Sequence, residues 1–285
     1  MNYISISQAA NKFDVSERYV RKLCTDGLIT GAAKIGQTWI IPENATIAKK
    51  QNINIVLGGD DNVGFEIASY LIERGENVCF ISKSEKQILN ALKCLKTENS
   101  FLFNADASNE EELLNIRNKL QKYNISKIIF SENNARFEKV ENNDLNMIKQ
   151  NFRGPIYSSV LVMSIFYPLM SKTTIIAVLH EKATTIGLTN ESVFSAASHG
   201  MNGFFDSVLA AVENDDKISG VLKAYTGAVE SEFWYTEDSK NVLKMPSKNR
   251  IPPSDLAKII IDSANSKNTL GISEIHVRRI KEWKR

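Results

Sequence analysis

Asn54–Lys83 reads NIVLGGDDNVGFEIASYLIERGENVCFISK. Ile55, Val56 and Leu57, with Ile53 just before them, form a short apolar run that stops at Gly58-Gly59. Beyond that turn, Val63, Ile67, Ala68, Leu71 and Ile72 recur at helical spacing, and Gly75 supplies a stop. Val78, Cys79, Phe80 and Ile81 make the next apolar run. Strand, glycine turn, helix and strand in this order are a βαβ unit. Its turn suits a nucleotide. Glycines let the backbone approach a pyrophosphate, and the helix N-terminus offers it free N–H groups. The unit begins about fifty residues into the chain, so a separate segment precedes it.

Length and composition bound the rest. A chain of 285 residues has room for one large domain, or for a large and a small one. Hydrophobic content of 43% with 24% charged residues places it among globular proteins rather than disordered or fibrous ones. The apolar runs are too short to cross a bilayer, and Met1-Asn2-Tyr3 opens no secretory signal, which predicts a cytoplasmic protein with no membrane partner. Cys24, Cys79 and Cys94 are unclustered and lack metal-site spacing, so no metal centre is expected. With a net charge of +2, any nucleic-acid signal must be local.

Residues 1–48 carry such a signal. Ile6, Ala9, Ala10 and Phe13 lie at helical spacing, with Ser5 or Ser7 as the cap. Asp14-Val15-Ser16 makes a turn, and Ser16 caps a second helix whose core face is Val20, Leu23 and Cys24. Two short helices across such a turn are a helix-turn-helix arrangement. Gly36-Gln37 between Lys34-Ile35 and Trp39-Ile40-Ile41 predicts a β-hairpin, or wing. Seven cations (Lys12, Arg18, Arg21, Lys22, Lys34, Lys49, Lys50) stand against four carboxylates in residues 1–50. Such an excess suits phosphate contacts, and equally a solvated face.

This segment resembles the excisionase- and MerR-like winged helix-turn-helix family. The resemblance rests on Ser7-Gln8-Ala9-Ala10, Val15-Ser16-Glu17-Arg18, Arg21-Lys22-Leu23 and the Ile35-Gly36 to Ile41-Pro42 end. It implies DNA as a partner, with Arg18, Tyr19, Arg21 and Lys22 facing the major groove and Lys34 and Gln37 on the wing. Residues 49–52 read as a linker and 53–285 as a second domain.

From residue 53 onward, strand-like and helix-like stretches alternate. Strands are expected at Phe101–Phe103, Ile128–Phe130, Thr174–Leu179, Gly220–Ala224 and Ile272–Val277. Helices are expected from a capping box at Ser108 to Tyr123, and over residues 143–169, 192–213 and Pro253–Ala264. Alternating βα units predict an α/β fold with a doubly wound parallel sheet.

The second domain resembles the short-chain dehydrogenase/reductase (SDR) family over almost its whole length, on landmarks in matching order. Gly58-Gly59-Asp60-Asp61-Asn62-Val63-Gly64 stands for the family's Gly-x-x-x-Gly-x-Gly, and Asp106 for its adenine-contacting acid. Ser131 to Ala135 stands for Asn-Asn-Ala-Gly, aligned either on Asn133-Asn134-Ala135 or two residues earlier. Asn151-Phe152-Arg153-Gly154 stands for Asn-x-x-Gly, and Thr226-Gly227 to Ser231 for the Pro-Gly-x-x-x-Thr segment. The resemblance implies a Rossmann domain binding NAD(P) through Gly58, Gly59, Asn62, Val63, Gly64, Lys83, Asp106, Asn133 and Ser231. Lys83, with no acid after the second strand, favours NADP over NAD through a 2′-phosphate.

The departures fall on the catalytic positions. Phe194 occupies the place of the family's proton-transferring Tyr and Ser198 that of its Lys. The Ser place falls on His180 or Glu181, and Asn151 alone is retained. A phenyl ring has no transferable proton and a serine hydroxyl no charge. His180, Glu181 and His199 are the remaining candidate donors, with ordinary polar roles as the alternative. The Asp60-Asp61 pair places two carboxylates beside the expected phosphates.

Three readings follow. One is a DNA-binding regulator whose degenerate SDR-like domain senses a small-molecule ligand or dimerises; the resemblance implies a homodimer or homotetramer paired through residues 143–169 and 192–213. The second is an active NADP-dependent oxidoreductase with a non-standard proton donor and an N-terminal adaptor. The third is a scaffold with neither activity. The basic tail, His276 to Arg285, reads as a solvated end, with contact to DNA as the alternative.

Overall fold

The computed structural model describes residues 2–59, 62–94, 100–131, 137–187, 189–235, 245–265 and 271–279. The chain divides into two compact units: Met1–Asn52 with Arg117–Asn124, and Ile53–Ile116 with Ile125–Arg285.

The first unit contains strand β1 (Tyr3–Ile4), helices α1 (Ile6–Phe13) and α2 (Glu17–Thr25), and strands β2 (Ala33–Ile35) and β3 (Thr38–Pro42). Ser5 is the cap of α1. Its Oγ accepts from the Gln8 amide at 3.2 Å while Gln8 Oε1 accepts from the Ser5 amide at 2.8 Å, a complete capping box. Asp14 turns the chain in the left-handed region (φ 53°), and Ser16 Oγ caps α2 at the Tyr19 amide. The strands form an antiparallel sheet in the order β1-β3-β2. Gly36, with φ +60° as the first residue of the two-residue loop, sets the hairpin twist. Ile6, Ala9, Val20, Leu23, Leu28 and Ile41 pack into its small core.

The second unit is a seven-stranded sheet. Its strands are β4 (Gln51–Gly58), β5 (Val78–Ser82), β6 (Phe101–Asn104), β7 (Tyr123–Ser131), β8 (Met170–His180), β9 (Ile218–Thr226) and β10 (Glu274–Val277). They lie in the order β10-β9-β8-β7-β4-β5-β6, and every described register outside the β7–β4 pair is parallel. The chain runs outward from β4 through β5 to β6, then returns to β7 on the other side of β4. That reversal opens a crevice beyond the carboxyl ends of β4 and β7. Both faces are covered, so the strands read as continuous apolar runs. Val56, Val78, Phe80, Ile129, Ile176 and Leu222 face α3 (Val63–Glu73) and α10 (Pro253–Ala264). On the opposite face, Phe130 meets Phe205 of α9 (Ser192–Ala211) with ring centroids 5.1 Å apart.

Several expectations are corrected. The helix expected to reach Tyr123 is α5 (Glu110–Lys119). It stops four residues earlier because Tyr123 begins β7, which is longer than its apolar centre Ile128–Phe130. Its cap is Asn109, whose Oδ1 accepts from the Glu111 amide at 3.1 Å, because Ser108 is engaged with Asp106 instead. The helix over 143–169 is broken into α6 (Leu145–Phe152), a π turn (Arg153–Tyr157) and α7 (Ser158–Phe166). Pro155 has no amide to give a regular turn, and the Ser158 amide reaches five residues back to the Arg153 carbonyl. β4 begins at Gln51, inside the expected linker. Two helices had no expectation: α4 (Glu85–Cys94) and α8 (Glu181–Thr185). No helix among the described residues is long and apolar enough to cross a membrane, and no cluster of potential metal ligands occurs among them.

Phe205 is fully buried and holds α9 against the sheet. Phe205→Ala is expected to lower unfolding stability by about 3–5 kcal/mol. Denaturant titration checks this, and a loss under about 1 kcal/mol would contradict the packing described.

Candidate functional site

The crevice is organised by two missing side chains. A Cβ on Gly64 would lie 2.5 Å from Ser131 Oγ and 2.7 Å from Gly58 Cα. A Cβ on Gly58 would lie 2.5 Å from the Phe80 ring and 3.1 Å from Gln87 Oε1. Ser131, the last residue of β7, donates its hydroxyl to the Leu57 carbonyl at 2.6 Å and so ties β7 to β4 at the switch point. Asn62 takes φ +63°, in the left-handed region. It stands at the N-cap of α3 without a side-chain cap bond, which leaves the first amides of the helix unclaimed by it. Gly58, Gly59, Asn62, Val63 and Gly64 are therefore brought together as expected. Asp60, Asp61 and Asn133 lie outside the described residues.

Asp106 lies two residues past β6. Its Oδ1 accepts from both the amide (2.8 Å) and the hydroxyl (2.6 Å) of Ser108, and Arg153 Nε donates to Ser108 Oγ at 2.8 Å. Burial raises the Asp106 pKa, but the Ser108 bonds and the charges of Lys83 and Arg153 outweigh it and hold the carboxyl below its usual range. Lys83 is exposed after β5. Ser231 is buried after β9, at the start of a short 3-10 helix (Glu232–Tyr235), whose Glu232 pairs with Lys86 of α4.

A dinucleotide fits what is present. Neither glycine has room for a Cβ, so the backbone at the turn stays bare, and the N-terminus of α3 follows it. The buried Gln87 carboxamide faces the same turn with Oε1 unpaired among the described residues.

The residues expected at catalytic positions are mostly buried. Phe194 is buried in an aromatic cluster. Its ring meets Phe137 edge-on at 5.1 Å and His180 at 5.9 Å, and Phe137 meets Phe233 at 5.3 Å. Ser198, one turn later, is buried as well. Asn151 is buried, and its Nδ2 donates to the Met147 carbonyl at 3.1 Å inside its own helix. His180 ends β8 beside Phe194, so these two are brought together. His199 is exposed, with Nδ1 on the Ser195 carbonyl at 2.8 Å.

Glu181 is not free to serve as a proton donor. Both its oxygens accept from the Arg278 guanidinium, and Oε1 also accepts from His276 Nδ1 at 2.8 Å. Burial raises its pKa, but these bonds and charges prevail and keep it ionised below the usual carboxylate range. Arg278, read from sequence as part of a solvated tail, is thus a partner of a buried carboxylate. The same β10 segment supplies Glu274, 2.7 Å from Nζ of buried Lys223 on β9, which Asp206 of α9 also binds. Burial disfavours the Lys223 charge, but Asp206, Glu274 and Tyr225 hold its pKa above the ordinary lysine value. Lys223, Gln87, His276 and Arg278 belong to no motif. The only sequence signal was parity: Lys223 and Tyr225 share one face of β9, Glu274 and His276 one face of β10.

In the first unit, Arg18, Tyr19, Arg21 and Lys22 are all exposed on α2, and Arg18, Arg21 and Lys22 share a face at i, i+3 and i+4. Arg21 pairs with Glu17 at 3.3 Å. Lys34 is exposed on β2 and Gln37 in the hairpin loop.

The short chain dehydrogenase family profile matches residues 51–241. Among solved structures, a short-chain dehydrogenase/reductase from Vibrio parahaemolyticus matches at 17% identity and TM-score 0.67, covering 79% of this chain and 96% of that one. An alcohol dehydrogenase from the archaeon Thermococcus sibiricus, complexed with 5-hydroxy-NADP, matches at 12% identity and TM-score 0.69, covering 81% and 97%. An NADPH-bound short chain oxidoreductase from Pseudomonas aeruginosa PAO1, containing an atypical catalytic center, matches at 15% identity and TM-score 0.66, covering 79% and 93%. No curated protein matches the chain.

Because Glu181 is held ionised in the fold, its contribution to stability is present above the unfolded carboxylate pKa and is lost as pH falls through the lower folded value. Glu181→Gln is expected to lower stability by about 1–3 kcal/mol at pH 7, discounted for the part-exposed Arg278. The gap should begin to narrow as pH falls below the unfolded value of about 4.3 and close beneath the lower folded one. Equal gaps at neutral and at low pH, in paired denaturation curves, would contradict the ion-pair assignment.

Proposed function

This chain belongs to the short-chain dehydrogenase family, and on that premise we propose that it is a DNA-binding regulator whose family domain holds a nicotinamide dinucleotide without standard hydride-transfer catalysis. The observation that carries the reading is the burial of Phe194 in an aromatic cluster at the place of the family's acid–base Tyr. When bound, a nicotinamide dinucleotide supplies hydride-transfer chemistry. This chain's residues would cradle its phosphates at Gly58, Gly59 and Asn62–Gly64. Phe194 offers a wall instead of a proton, and buried Ser198 offers no cation. The domain then works as a ligand sensor, a dimeriser or both, with NADP the expected ligand and Lys83 near its 2′-phosphate.

For the first unit we propose a winged helix-turn-helix over residues 1–48, with β4 beginning soon after, at Gln51. Two helices across a left-handed turn, a three-stranded antiparallel sheet and an exposed basic face on α2 support it. α2 would enter the major groove through Arg18, Tyr19, Arg21 and Lys22, with Lys34 and Gln37 on the wing. Two heads per operator require at least a dimer. Exposed apolar groups along α6–α7 (Leu145 at 72%, Tyr157 at 52%) and the exposed Ala196, Gly200 and Gly203 on α9 support pairing there, in a homodimer or homotetramer.

A second reading is favoured by His180, whose ring lies against Phe194 at the end of β8. In it the protein is an active NADP-dependent oxidoreductase with His180 as proton donor. The Pseudomonas oxidoreductase, with its atypical catalytic center and bound NADPH, shares this fold.

Three measurements decide. DNA binding by the full chain should weaken as salt rises, and Arg18→Ala should lower the log–log salt slope by about one. Binding indifferent to Arg18→Ala and Arg21→Ala would remove the major-groove assignment. NADPH should raise Tm measurably, with no NADPH oxidation in a carbonyl panel. Phe194→Tyr with Ser198→Lys should then gain oxidation. Wild-type turnover abolished by His180→Ala would select the second reading.

A further inference from the structure

Glu232 belongs to the short 3-10 helix after β9, and Lys86 to the first turn of α4 after β5. In the sheet, β9 and β5 are separated by β8, β7 and β4, four strand spacings or about 19 Å. That span is beyond the reach of two side chains, yet Lys86 and Glu232 form an ion pair. Both elements leave the carboxyl edge of the sheet. The chain after β9 therefore crosses the ends of β8, β7 and β4 to reach α4, and the crevice at the switch point lies under that crossing.

The crossing is held unequally at its two ends. On the β9 side the hold is buried and many-sided. Arg250, 8% exposed, donates to Glu230 at 3.0 Å and stacks on the Trp234 ring at 4.6 Å. Trp234 Nε1 donates to the Val229 carbonyl at 2.7 Å, and Phe233 packs on Phe137 at 5.3 Å. On the α4 side the hold described is the Lys86–Glu232 pair, with both side chains 63% exposed. A pair so open to water is weak and is screened by salt. Its helix is firmly placed, because Gln87 beside Lys86 is buried against Gly58 and the Phe80 ring. The weak point of the span is thus the ion pair itself, and its opening frees one end of the crossing while Arg250 keeps the other.

We infer that Lys86–Glu232 is a latch on the dinucleotide crevice: the pair opens to let a ligand in or out and closes behind it. The inference rests on the dinucleotide reading above and adds a control of exchange to it. Because the latch lies on the route and not in the pocket, it sets how fast the ligand comes and goes while leaving affinity nearly unchanged. Because the pair is exposed, that rate responds to ionic strength.

Stopped-flow fluorescence of NADPH binding to the full chain tests this, with Glu232→Gln and with the charge exchange Lys86→Glu plus Glu232→Lys. Glu232→Gln should melt like the wild type, raise the association and dissociation rates alike by about threefold, and leave Kd within about twofold. The ratio of variant to wild-type rates should fall toward one as salt rises from about 0.05 M to about 0.5 M. The exchanged pair should bring the dissociation rate back to within about twofold of wild type. Slower release with tighter binding in Glu232→Gln would show that Glu232 only masks Lys86 from the phosphates. Unchanged rates would show that passage needs no opening of the pair. Either result overturns the latch and leaves the dinucleotide reading intact, whereas absence of wild-type binding would overturn both.

Discussion

Between β4, α3 and β7 there is no room for a methyl group. Gly64 sits 2.7 Å, measured from where its Cβ would be, from the Cα of Gly58, with the Ser131 hydroxyl equally near. That closeness lets the sheet reverse direction beside β4, and the reversal makes the crevice. Much else in the second unit depends on it. Ser131 can reach the Leu57 carbonyl only across that gap, and α3 can aim its N-terminus at the crevice only if its first turn lies flat on the strand. The two glycines are thus steric conditions for the fold as much as a place for phosphate.

The βαβ architecture was readable because apolar runs and turn residues alternate so regularly from Ile53 on. The helix-turn and hairpin of the first unit were readable from Ser16 and Gly36, whereas the first cap stood open between Ser5 and Ser7 until the capping box at Ser5 decided it. What escaped reading has physical causes. Tyr123 was assigned to a helix because β7 begins with mixed polar residues before its apolar centre. The π turn escaped because Pro155 was read within a continuous helical stretch, where only the backbone shows how its missing amide is accommodated. The glycine turn of the candidate site was legible, whereas Gln87, His276 and Arg278 were not. Their parts arise from contacts between elements far apart in sequence, and no local spacing encodes them.

The Phe194 ring sits in a closed aromatic cluster. Phe137 and His180 meet it, and Phe233 packs on Phe137. Glu181, a group with the right chemistry for proton transfer, is held instead by the Arg278 guanidinium and the His276 ring. Polarity at this end of the sheet has been turned toward cohesion: the charges bind each other across β8, β9 and β10 instead of facing the crevice.

That cohesion has an order in time. Glu181 and Lys223 are buried groups of opposite charge, and each takes partners from the five residues Glu274 to Arg278. During synthesis those residues emerge after every other strand of the sheet. Until then the nascent chain carries a carboxylate without Arg278 and His276, and an ammonium with one of its two carboxylates. The earlier strands can assemble, but their charges are balanced only when β10 arrives. The last strand to be translated is therefore the one that commits the sheet.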